Sequence, residues 1–580
     1  MSTVRRLYLY GVSAIALWLV CLGVFQLLRL ALEQVAGAVP LGAGFDRESL
    51  AVALALVLVG LPLWLLHWWL VERSVRRATP EGDADRRSVM RAFYLAVVAA
   101  VAVAVLSVQA TTLLEQAIRL PLGVSDPYGA PMSDGLALAL VAFTAWAFHI
   151  RTRHLDTRAG PLTGAAAWVS RLYLYGAMLA GAIVGLRGIS QLIETVGNEI
   201  LGTGATLENG FTWSLANAIA LTAVGGAVYA GHSVYARRLT VAGDWRSEAE
   251  RASQVRAVHD VVALAIMAFI SLSAAAEALR WILAIPLGVG ETDDLARLAQ
   301  LTVGPIAAML PFLVGGVFCG RMAVRDAERF VGLEAEVDTQ RQTRLVLASL
   351  GLAFAAVGSA GAFGIGLEQV LGPGDLVRDV PLKEQLALFG ALAIVGLPVW
   401  LVAWMRVQRS GAAVPAAESR STARRGHLFL VIGASVIAAG LALAFILYEA
   451  IRTALGIGVV RLGADLSQPI AIVVVGIVLV AYHGWVLRGD LAVRAALEPA
   501  AVVVPPVPGL EASVDTPGPT VREELVLEGP PGADLETINQ VLREHLPSGW
   551  SLRVVSAGAA HGRQPAASDA DRLSTGRCDR

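Results

Sequence analysis

Two columns of repeated side chains carry the residue types that could do chemistry. The first is Glu33, Glu115, Glu194, Glu368 and Glu449, with Arg280 at the corresponding place in a fourth copy. Three members share a local pattern: Leu32-Glu33-Gln34-Val35, Leu114-Glu115-Gln116-Ala117 and Leu367-Glu368-Gln369-Val370. A charge inside an apolar segment is a candidate for collecting cations or relaying protons. Near the last turn of a helix it is also disfavoured, by roughly 0.3–1 kcal/mol, because the macrodipole is negative there. Repeating an unfavourable choice calls for a partner. Arg119 and Arg452 follow Glu115 and Glu449 by four and three residues, on the same helix face. The positive N-terminus of the next helix is a second candidate. The expectation is a carboxylate that pins a hairpin at the membrane interface, with a charged outer vestibule as the alternative. Arg280 weakens the vestibule reading.

The second column reads Trp64-x-x-His67, Trp146-x-x-His149 and Tyr229-x-x-His232, and ends in His483, with Gly316 and Ala403 filling the remaining copies. Pro62, Pro311 and Pro398 stand five residues before His67, Gly316 and Ala403, where they bend a helix and free a carbonyl. Histidines at matching depth on facing helices could ligate haem or a metal. Trp68, Trp69, Trp485 and nearby arginines favour the plainer reading, amphipathic side chains in an interfacial belt or in helix packing. Cys21, Cys319 and Cys578 are too scattered for a zinc or disulfide framework. No phosphate-binding loop, metalloprotease or nucleophile-elbow motif has a suitable context, so no cofactor, enzyme activity or nucleic-acid partner is expected.

These columns need elements to hold them, and composition says what kind. Of 580 residues 56% are hydrophobic and 16% charged, so the solvent for most of the chain is lipid. Apolar runs of 18 or more residues recur, each long enough as a helix to cross a core about 30 Å thick. They pair into six helical hairpins, at 1–85, 86–165, 166–250, 251–335, 336–420 and 421–495. The expected fold is all-α, with about twelve transmembrane helices as six hairpins in parallel orientation. The first two hairpins also match the next two: Arg6 with Arg171, Gln26 with Gln191, His67 with His232, and Pro121-Leu122-Gly123 with Pro286-Leu287-Gly288. This points to duplication of a four-helix unit. The segments joining hairpins are Arg-rich (Arg73, Arg76, Arg77, Arg151, Arg237, Arg321, Arg406) and the loops inside them are not, which puts both termini in the cytoplasm of a plasma or inner membrane protein.

Residues 496–520 read as a Pro-rich linker, 521–558 as a small strand-helix-strand cytoplasmic segment, and 559–580 as a disordered tail. The 521–558 segment is too short to bury a good core alone, so self-association or a protein partner is expected through it.

The repeat resembles the bacterial membrane family known as domain of unknown function number 5671. The resemblance rests on Arg-Leu-Tyr-Leu-Tyr at Arg6 and Arg171, and on Gly60-Leu61-Pro62-Leu63-Trp64-Leu65-Leu66-His67-Trp68. It covers residues 5–490 in successive copies and implies the membrane architecture without an activity. The functional expectation is a non-enzymatic scaffold or component of a sensory or assembly complex. A transporter or channel using the Glu column is the alternative, and a haem-binding redox protein a third reading.

Overall fold

A computed structural model describes residues 2–35, 47–124, 131–202, 209–241, 243, 245–289, 295–372, 379–457 and 459–497. Within them are fifteen α-helices and no strand: α1 (Thr3–Val35), α2 (Arg47–Val75), α3 (Pro80–Arg86), α4 (Val89–Arg119), α5 (Met132–Ala159), α6 (Gly164–Ile200), α7 (Gly210–Val241), α8 (Trp245–Arg251), α9 (Gln254–Ala284), α10 (Leu295–Phe330), α11 (Leu333–Leu371), α12 (Asp379–Ala413), α13 (Pro415–Arg420), α14 (Thr422–Ala454) and α15 (Ser467–Leu497). Twelve are long and apolar enough to cross a membrane, and α3, α8 and α13 are short connectors. The protein is a multi-pass membrane protein. Many spans exceed 30 residues, longer than the apolar runs, because the helices continue beyond the hydrocarbon into the Arg-rich connections. The expected linker, strand-helix-strand segment and tail lie outside the described residues, except that Ala496 and Leu497 end α15.

Consecutive spans pack as antiparallel pairs: α1 with α2, α4 with α5, α6 with α7, α9 with α10, α11 with α12 and α14 with α15. The pairs combine by twos. The first helix of each foursome also packs on the fourth, α1 on α5, α6 on α10 and α11 on α15, so six hairpins form three four-helix units. The units succeed one another by a repeated contact, α4 against α6 and α7, then α9 against α11 and α12. Lipid tails are as apolar as leucine, so close backbone approach holds such helices together. The equivalent glycines Gly60, Gly225 and Gly396 provide it. A methyl group on Gly225 would run into the Gly185 backbone, and one on Gly396 into that of Ala355.

The short connectors make each unit one body. In each, an acid, a serine and an arginine recur three residues apart: Asp85, Ser88 and Arg91; Glu250, Ser253 and Arg256; Glu418, Ser421 and Arg424. The acid's carbonyl accepts from the serine N–H at 3.1–3.3 Å, closing the connector. The serine hydroxyl caps the third helix of the unit, accepting from the arginine N–H at 3.3, 3.5 and 3.3 Å.

Candidate functional site

The acid and arginine of that signature each pair with another helix, in the same way in all three units. Arg6 at the start of α1 reaches Asp85 at 2.7 Å, Arg171 in α6 reaches Glu250 at 2.9 Å, and Arg341 in α11 reaches Glu418 at 2.9 Å. The third-helix arginines turn inward to the fourth helix: Arg91 to Asp156 at 2.6 Å, Arg256 to Asp326 at 2.9 Å and Arg424 to Asp490 at 2.7 Å. Arg91, with a side chain 1% exposed, also holds Glu72 of α2 at 2.7 Å, and Arg424 donates to Gln408 at 2.7 Å. A guanidinium suits this place because its planar fork grips carboxylates on two elements at once.

At the opposite ends of the helices, the glutamate column finds its cations mostly one turn away. Glu33 pairs with Arg29 at 3.2 Å, Glu115 with Arg119 at 3.4 Å, and Glu449 with Arg452 at 3.4 Å. Glu194 faces Arg187 at 3.8 Å, and Arg280 grips Glu277 at 2.6 Å and lies over the Trp281 ring. Glu115 also accepts from Asn217 of α7 at 2.9 Å, while Arg119 lies 3.5 Å from the Trp213 ring centroid, so this member joins two units. Glu368 stands near the end of α11, where its carbonyl accepts from Gly372 N–H at 3.0 Å. The column is thus spread over separate hairpins, with Glu33, Glu115, Glu194, Arg280 and Glu449 each facing an oppositely charged side chain on the same helix.

The histidine column faces packed interior. His67, His149 and His483 are buried and His232 is half-buried, whereas Trp69 and Trp485 point outward. Each ring is tied by Nδ1 to the carbonyl four residues earlier, at 2.8 Å for His67, 2.7 Å for His149, 2.8 Å for His232 and 2.9 Å for His483. A carbonyl only accepts, so Nδ1 carries the proton and, in the neutral ring, Nε2 is left as an acceptor. A tyrosine hydroxyl meets that nitrogen in three cases: Tyr8 at His67 (3.3 Å), Tyr94 at His149 (3.4 Å) and Tyr173 at His232 (3.0 Å). Tyr173 in turn accepts from Trp146 Nε1 at 2.8 Å, which carries the chain of hydrogen bonds from the first unit into the second. Trp64 stacks on Trp68, and Tyr229 lines a cavity of 100 Å³ in the second unit with Tyr175, Arg256, His259, Cys319 and Asp326.

The ion pairs define the register between units. Counting back seven residues from Asp156, Asp326 and Asp490 gives His149, Cys319 and His483, so Cys319, not Gly316, stands at this position in the second unit. Counting forward three from Arg91, Arg256 and Arg424 gives Tyr94, His259 and His427. One geometric position on the third and fourth helices therefore holds phenol with imidazole, then imidazole with thiol, then two imidazoles. Sequence reasoning passed over this pairing and the Arg–acid network. The signal was available: acid, serine and arginine three apart, three times.

A family model described as a domain of unknown function, DUF5671, matches residues 6–144, 171–314 and 341–478. Each match covers two hairpins, the same foursome that packing assembles. No curated protein and no solved structure matches the chain.

Proposed function

The chain belongs to the DUF5671 family, as three tandem copies, and on that premise we propose that it is a non-enzymatic membrane scaffold. The observation that carries this reading is the closure of charge within each unit. Arg6–Asp85 and Arg91–Asp156, with their counterparts in the other units, tie helix to connector and helix to helix. A transport pathway needs ionisable groups gathered near the bilayer midplane around a shared site. Here the glutamates sit at helix ends, and Glu33, Glu115, Glu194, Glu449 and Arg280 each have an ion-pair partner on their own helix. The haem reading loses support because tyrosine hydroxyls meet three of the four Nε2 atoms. In this proposal the scaffold lies in the plasma or inner membrane with both termini cytoplasmic, and segment 521–558 recruits a partner or a second copy.

The test is flux. Full-length protein in proteoliposomes, given a panel of ions and small metabolites, should show no transport above empty vesicles. Deleting residues 521–558 should leave the membrane part folded while abolishing its association state. Flux that falls in Glu115→Gln or Glu449→Gln would overturn the scaffold reading in favour of a transporter.

A further inference from the structure

We propose that the third unit holds a soft monovalent cation of the Cu(I) class between His427 and His483. Both rings are neutral-state acceptors with nothing to accept. His483, fully buried, gives its Nδ1–H to the Leu479 carbonyl at 2.9 Å. His427, 5% exposed, places Nδ1 2.8 Å from the Ser349 hydroxyl. That hydroxyl donates its one proton to the Leu345 carbonyl at 2.9 Å, so it accepts from His427, and the proton of His427 is on Nδ1 as well. Both Nε2 atoms are then buried lone pairs, and neither has a hydrogen-bond partner. The equivalent first-unit pair differs in this respect, because the Tyr94 hydroxyl meets His149 Nε2.

An imidazole with Nδ1–H fixed by an oxygen and Nε2 open is the prepared state of a metal ligand. The two ring centroids are 6.1 Å apart. Two metal–nitrogen bonds of about 2.0 Å each, plus the reach from each ring centre to its nitrogen, span a separation of that size when both Nε2 atoms turn toward the ion. Charge selects the ion. No carboxylate or thiolate belongs to the pair, and among the described residues no group of three or more His, Cys, Asp or Glu side chains could hold a metal. A divalent ion in such a place would stay uncompensated and poorly coordinated, whereas a soft monovalent ion needs only two neutral ligands. Arg424, three residues before His427, lies 5.7 Å from the Trp404 ring and is neutralised by Asp490 at 2.7 and 3.2 Å. Haem does not fit between these rings. The Trp404 indole lies 5.2 Å from His427 and 5.7 Å from His483, closing the third side of the triangle where a porphyrin would extend.

The experiment uses the full chain in detergent with Cys21, Cys319 and Cys578 replaced by serine, so that no thiol competes. Cu(I) is supplied anaerobically against a chromophoric chelator. One tight Cu(I) per chain is expected, with an X-ray absorption spectrum of two imidazole nitrogens and no sulfur. His427→Phe with His483→Leu should lose it, and Ser349→Ala, which frees the His427 tautomer, should weaken it on the order of 10–100-fold. Should the double variant fail to fold, the absorption spectrum of the histidine-intact protein decides. A folded thiol-free protein that takes up no Cu(I), binding that survives the double replacement, or a spectrum without two imidazoles overturns the proposal. The first of these outcomes would leave a bridging water as the donor to both nitrogens.

Discussion

Replacing Arg91 by methionine is the sharpest perturbation of the unit. The Arg91 side chain is 1% exposed and donates to both Asp156 oxygens, at 2.6 and 3.1 Å, and to Glu72 at 2.7 Å. Methionine keeps most of the volume and removes the charge, so Asp156 on α5 loses its ion-pair partner while Glu72 on α2 keeps only the exposed Arg76, at 3.0 Å. Breaking a buried pair from one side costs about 3–5 kcal/mol, because the remaining charge is uncompensated. Removing the acid as well, as Arg91→Met with Asp156→Leu, takes away most of that penalty, and such swaps are often neutral or stabilising by about 1–4 kcal/mol. Here Glu72 stays behind, so the double variant should recover part of the loss and Arg91→Met with Asp156→Leu and Glu72→Gln most of it. The assay is reversible denaturant unfolding of the full chain in mixed micelles, set up as a mutant cycle. Losses that simply add, or a single replacement costing under about 1 kcal/mol, would refute the claim that these charges hold the hairpins together.

Other consequences follow from the same packing. Gly225→Leu forces α6 from α7 and should cost about 1–3 kcal/mol, read in the same unfolding assay. Ser253→Ala removes the cap of α9 and should cost about 1 kcal/mol, with Ser253→Asp recovering it. A reporter fused after Arg76 or Arg425 should sit in the cytoplasm, and one found outside would invert the arginine-based orientation.

The helices and their pairing were legible because eighteen apolar residues in a row admit few structures, and the Arg6/Arg171 register already showed the four-helix period. The third copy was harder to read. Its first helix carries Thr343 where the others have Tyr8 and Tyr173, and Leu345 where they have Tyr10 and Tyr175, so the aromatic opening is gone while Arg341 remains. Contacts between units were not legible, since a face that meets lipid and a face that meets another helix are equally apolar. The ion pairs were hidden for a different reason. Counting the arginines between hairpins for orientation stops short of Arg91, which lies in the first turn of α4 and turns inward. Partners also lie far along the chain: 79, 79 and 77 residues for the first pair of each unit, 65, 70 and 66 for the second. The histidine column was visible as a spacing, but what meets the Nε2 of His67, His149 and His232 comes from another helix, at positions whose residue type changes from copy to copy.

That change makes the third-unit site transferable in principle, because three copies of one frame differ at a few positions. In the first unit, His149 already has Nδ1 tied to the Ala145 carbonyl at 2.7 Å and matches His483. Two of the positions at which it differs from the third unit set the second ligand and its tautomer. Tyr94 stands where His427 does, and Ala14, the eighth residue after Arg6, stands where Ser349 follows Arg341. Tyr94→His with Ala14→Ser should therefore raise the thiol-free chain from one Cu(I) to two, whereas Tyr94→His alone should bind the second ion more weakly, its tautomer unfixed. The Arg91–Asp156 pair holds α4 and α5 in the register that Arg424–Asp490 gives α14 and α15, so the two imidazoles should meet at a similar separation. If the redesigned first unit folds and binds no second ion, a shared frame with a fixed pair of tautomers is insufficient to make the site.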